Sequence, residues 1–161
     1  MSTEVIRQLV LDTLYGRRIG GTERNSCLVV NMAGHELAGI GAQAILPIEG
    51  VLREVDQGIR TGTYRPDHFL GLSYVVGAYL VNAARDAPAR ATLFIDSLSL
   101  ELVREFISYT PVFFRRLESG YNFGVAPPDE FLRFIETRCH SEDAMIAEAA
   151  QRAYDRLTKR R

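Results

Sequence analysis

His35 and Glu36 open the pattern H-E-x-x-H, in which two histidines one helical turn apart hold a zinc ion and the glutamate serves as base. That chemistry needs its second ligand. Position 39 is glycine, and the other histidines, His68 and His140, lie in separate segments, so the spacing assembles no zinc site. Gly39, Gly41 and Ala44 satisfy G-x-G-x-x-A, the relaxed dinucleotide fingerprint. Such a loop cradles a pyrophosphate only directly after a buried strand, and the preceding MAGHELA is polar-interrupted and helical in period. Acids and bases such as His35, Glu36, Asp96 and His140 are present, but no nucleophile stands beside a base and no carboxylates converge. No catalytic residue, no metal ligand and no cofactor is expected.

The elements around these residues explain them better. Apolar residues recur at helical spacing almost throughout the chain and strict alternation over a strand length is hard to find, which predicts an all-α fold. A first helix is expected over about 3–15, with Val5, Ile6, Leu9, Val10 and Leu14 on one side, and a second over about 23–38. Within ELAGIGAQAILPIEGVL, Gly41 can end that second helix in a left-handed conformation. Gly39 and Ala42 let two backbones approach, and Pro47 fits the first turn of a third helix over 44–55. On that third helix Ile45, Ile48, Leu52 and Val55 form the inner stripe, and Glu49, Arg53 and Asp56 are expected on the opposite face.

A fourth helix is expected from just after Pro66 to about Arg85; LGLSYVVGAYLVNAA is apolar on nearly every side and belongs at the centre. Short and long helices follow over 88–96 and 99–118, with Pro111 bending the latter. Another starts at Pro127-Pro128 and reaches about Cys139, and the last is capped by Ser141. The chain thus reads as one domain over 1–158 with a frayed basic tail at 159–161.

With 161 residues the chain can bury a substantial core without staples, and Cys27 and Cys139 read as small buried hydrophobes. Basic and acidic residues number 19 and 20, which leaves no global field to attract nucleic acid or an anionic membrane. All the basic residues except Lys159 are arginine, as a GC-rich genome would produce. The acidic N-terminus has no signal-peptide pattern, so a cytoplasmic protein is expected.

AGHELAGIGAQAILPIEGVL resembles one unit of the HEAT or HEAT-like α-helical repeat family: a small-residue corner, an alanine, a proline inside the second helix and a leucine stripe. Leu37, Ala38, Ile40, Gly41, Ala44, Pro47 and Leu52 fill those positions, with Ala38 where the family usually has glycine. A weaker copy lies over 78–98, offset in the forties, and the last two helices are a third, degenerate pair. The resemblance implies a short α-solenoid of antiparallel helix pairs, with a compact helical bundle as the alternative. It also implies protein partners, met on the second helix of each pair. That side would carry Glu49, Arg53 and Asp56, joined by Arg90 and Arg104, while Tyr121 and Phe123 offer aromatics on a loop. The expectation is a non-enzymatic interaction module, such as a small bacterial adaptor or an inhibitor covering a partner's site, with a homodimer compatible with the wide apolar stripes. The competing class is an enzyme or small-ligand binder with an apolar pocket among Tyr74, Tyr79, Phe106 and Phe113.

Overall fold

A computed structural model describes residues 1–16, 33–114 and 126–158, and within them every regular element is helical. Helix α1 (Thr3–Tyr15) starts where the Ser2 hydroxyl accepts the Val5 N–H and buries Ile6, Leu9, Val10 and Leu14. Val5 is an exception to the expected stripe: it is exposed, because it precedes Ile6 on the wheel and turns toward solvent. Helix α2 is described over 33–38, and α3 (Ile45–Arg60) follows a 3-10 turn at Ala42–Ala44.

Between α2 and α3 the chain turns at Gly41, whose φ of 92° and ψ of −151° are open in practice only to glycine. Pro47 is the third residue of α3, where its missing N–H deprives no helical carbonyl. The helix runs five residues past the expected end, straight through Gly58. Pro66 opens only a 3-10 turn, and α4 (Leu72–Asp86) begins later, with the Gly71 N–H bound to the Leu14 carbonyl at the end of α1.

α5 (Pro88–Asp96) sits as expected; α6 (Leu100–Phe114) starts as expected and continues through Pro111, and positions 115–118 of the expected helix lie outside the described residues. α7 (Asp129–Arg138) and α8 (Ala144–Thr158) complete the fold. The cap of α8 is Asp143, not Ser141: its carboxylate accepts the N–H groups of Met145 and Ile146, both at 3.0 Å. A carboxylate there also meets the positive end of the helix dipole, which a serine does less well.

α4 is the central element. It packs against α1, α3, α5 and α6, and its residues Val75 through Ala83 are all buried. α6 lies against α8, and α7 bridges α5 and α8. The approach of α6 to α4 depends on Gly77, since a Cβ there would fall 2.2 Å from the ring of Phe113. Gly77→Ala should therefore lower stability by about 1–3 kcal/mol, despite the gain in helix propensity, because the buried ring has to leave its place. A urea midpoint unchanged from the parent would contradict this packing.

Candidate functional site

The predicted residues of α3 are not a solvated face. Glu49 is 4% and Asp56 8% exposed, because Tyr79 of α4 and the side chains and turn of the α5 region (Arg90, Phe94, Ser99) reach over that side of α3. This corrects the outward placement expected from the stripe. Glu49 accepts the Tyr79 hydroxyl at 2.7 Å, and its two oxygens take Arg90 Nε at 3.1 Å and Nη2 at 2.8 Å. One turn on, the Arg53 guanidinium lies 4.9 Å from the Phe94 ring centre. Asp56 accepts Arg60 Nε and the Ser99 N–H, each at 2.8 Å, and Arg60 also donates to the Ser97 carbonyl. Moving forward along α3 therefore moves forward along α5. The network joins α3, α4 and α5 and feeds the start of α6.

Burial pushes the Tyr79 phenol far above its ordinary value, and the adjoining Glu49 carboxylate raises it further; Arg90 and Arg53 pull weakly the other way. Burial also pushes Asp56 up, but the hydrogen bonds from Arg60 and the Ser99 N–H outweigh it and hold the carboxyl below 3.8. The signs follow by linkage. A phenol raised by folding stabilises the fold fully below its unfolded value of 10.0, and that contribution is lost as pH rises above it. A carboxyl lowered by folding stabilises above 3.8 and loses its contribution as pH falls below that value. Urea midpoints should decline above pH 10.0 and below pH 3.8, with Tyr79→Phe flattening the alkaline limb and Asp56→Asn the acid one.

Tyr79 and Phe106 meet edge-on, with ring centres 5.8 Å apart, and Phe113 fills the space over Gly77. These aromatics occupy the interior that a ligand pocket would need. Two clefts open elsewhere. The first, of about 400 Å³, lies between α5 and α7 and is lined by Thr92, Leu93, Asp96, Phe134, Thr137 and Arg138. Arg138 pairs with Asp96 across it and stacks 5.0 Å from the Phe134 ring centre. Leu93 is 74% exposed at its edge. The hydroxyls of Thr92 and Thr137 are turned to carbonyls of their own helices, so the cleft presents mainly apolar surface and one ion pair.

Arg104 does not join the α3 residues. It lines the second cleft, about 180 Å³ between α6 and α8. Tyr121 and Phe123 lie outside the described residues, as do Cys27 and the pairs Arg17-Arg18 and Arg115-Arg116. Cys139 is partly covered; burial pushes its thiol up, with Asp155 and Glu136 adding to the effect, so it is a poor nucleophile. Among the described residues no group of His, Cys, Asp and Glu is arranged to hold a metal, and His68 accepts the Arg65 N–H within its own turn. No described helix is long and apolar enough to cross a membrane.

Neither family models, nor curated proteins, nor solved structures match this chain. Function must be read from the geometry alone. The spacing of apolar residues did not mark Leu93 or the Asp96–Arg138 pair. A lone leucine off the inner stripe of a nine-residue helix was the available signal.

Proposed function

We propose that the chain is a non-enzymatic, cytoplasmic protein-binding module built as a short HEAT-like stack of helix pairs. The architecture is supported by the spacing of its cross-helix contacts. Glu49 with Arg90, Arg53 with Phe94, Asp96 with Arg138, and Arg104 with Met145 all join residues 41 or 42 apart. In a stack of repeats, like positions of successive units face one another, and 40–47 residues is the length of such a unit. The remaining contacts from α3 to the α5 region, Asp56 with Ser99 and Arg60 with Ser97, fall at separations of 43 and 37.

The observation that carries the binding role is the cleft between α5 and α7. Leu93 stands exposed beside Phe134, with a charged pair at the rim, which is the make-up of an interface anchor surrounded by polar groups. A partner would cover Leu93 with an apolar side chain of its own. Carboxylates elsewhere in this layer, Glu49 and Asp56, are spent on holding α3 to its neighbours.

The test is co-purification from the native host of the tagged protein beside Leu93→Arg, a change at an exposed position that leaves the core intact. One stoichiometric protein recovered with the parent and lost with the variant is the expected result. A second copy of the chain as sole companion would make the module a homodimer, and no companion in either case would sink the reading.

A further inference from the structure

The second cleft has a different character. Its floor is Pro111 from α6 with Ala149 and Ala153 from α8, and its walls carry the guanidinium groups of Arg104, Arg152 and Arg156. Arg152 pairs with Glu148, both largely exposed. Among the described residues Arg104 donates to the Met145 thioether at 3.9 Å, a weak acceptor, and is attracted by the Glu105 carboxylate next to it, but neither Arg104 nor Arg156 reaches a carboxylate at ion-pair distance. Glu105, beside Arg104, is half-buried on the adjacent side of α6 and is not a lining residue. Among the described residues the groove therefore presents more positive charge than the ion pairs there neutralise.

Building on the protein-binding reading, we propose that this groove receives an acidic helical segment of the partner, with carboxylates one helical turn apart. The geometry favours that occupant. Arg152 and Arg156 are themselves one turn apart, about 6 Å, which is the spacing of i and i+4 carboxylates on a helix. From Arg104 to Pro111 the groove runs about 10 Å, two turns, too short a track of charge for a duplex backbone. The chain as a whole carries a formal charge of −1, so attraction is confined to about 8 Å, the screening length in physiological salt, and polyanions are not drawn from afar. Alanines and proline on the floor let a helix backbone approach to about 8–10 Å, as in ordinary helix packing. Met145, 55% exposed at the head of the groove, supplies an apolar contact beside Arg104.

The probe is a fluorescent helical peptide of about 15 residues with glutamates at i and i+4 along an alanine face, compared with a scrambled peptide of equal charge. The ordered peptide should bind the parent protein about tenfold more tightly than the scrambled one and weaken with added salt. Arg152→Glu with Arg156→Glu should abolish binding. Arg104→Ala, a milder change, should weaken it about threefold, with circular dichroism confirming that both variants fold. Equal binding of the two peptides, indifference to the arginine changes, or tighter binding of a DNA duplex would overturn the proposal. Leu93→Arg should leave peptide binding intact. A native partner lost with Leu93→Arg, together with a peptide that fails to bind, would remove the arginine groove as a docking site while keeping the module; a peptide that binds with no native partner would remove the module instead.

Discussion

Glu49→Arg should leave the chain unfolded at ordinary temperature. The parent carboxylate is 4% exposed and satisfies the hydroxyl of Tyr79, itself fully buried, along with both reachable nitrogens of Arg90. An arginine in its place would set a third guanidinium beside Arg90 and Arg53 in a space lined by Phe94, and would orphan the Tyr79 hydroxyl. The orphaned hydroxyl alone costs about 1–3 kcal/mol, and an unpaired buried charge costs several more, against a typical total of about 5–15 kcal/mol. Two milder changes separate the contributions. Glu49→Gln keeps an acceptor for Tyr79 and should lower the melting temperature by about 3–6 °C, while Glu49→Ala should lower it by about twice that. A thermal melt by circular dichroism decides it: an arginine variant melting within a few degrees of the parent would mean that residue 49 faces solvent after all.

That residue marks where sequence reasoning stops. The apolar stripes and the prolines at 47 and 88 locate the helices, since propensity and period are local properties, but not all their ends: α4 starts about five residues later and α3 ends five residues later than the sequence suggests. α4 was legible as the centre because LGLSYVVGAYLVNAA is apolar on nearly every side, and residues 75–83 are indeed buried. A charge on a helix wheel is another matter. Whether Glu49 and Asp56 meet water depends on Arg90 of α5 and on Ser99 in the turn before α6, each about 40 positions away. A helix covered on two flanks has a buried arc wider than its apolar stripe, and only partners supplied by the fold reveal which polar residues fall inside it. The same holds for the clefts. Arg104 could be suspected from its type, but its company with Arg152 and Arg156 follows from α6 lying against α8.

Asn82 is a fully buried polar residue in the apolar run of α4, and it should prove as costly to alter as Glu49. Its amide nitrogen donates to the Leu37 carbonyl at 3.0 Å and its oxygen accepts the Gly41 N–H at 2.9 Å, so one fully buried side chain ties the end of α2 to the glycine turn. At that turn Gly41 leaves the helical region, and its N–H has no helical carbonyl to reach. Asn82→Ala deprives both backbone groups and opens a small cavity, for a loss of about 2–4 kcal/mol. Asn82→Asp is the sharper test. An ionised aspartate still accepts from Gly41 but presents a lone pair where Leu37 needs a donor, and carries a charge into the core. Its carboxyl should be raised well above the usual range, so the penalty is present at pH 7 and fades as the pH falls and the protonated form donates to Leu37. The variant should therefore gain stability on going from about pH 7 to about pH 5, a range in which neither Asp56 nor Tyr79 titrates. Urea unfolding at the two pH values measures it. An aspartate variant equally stable at both would show that the side chain of residue 82 does not hold the corner.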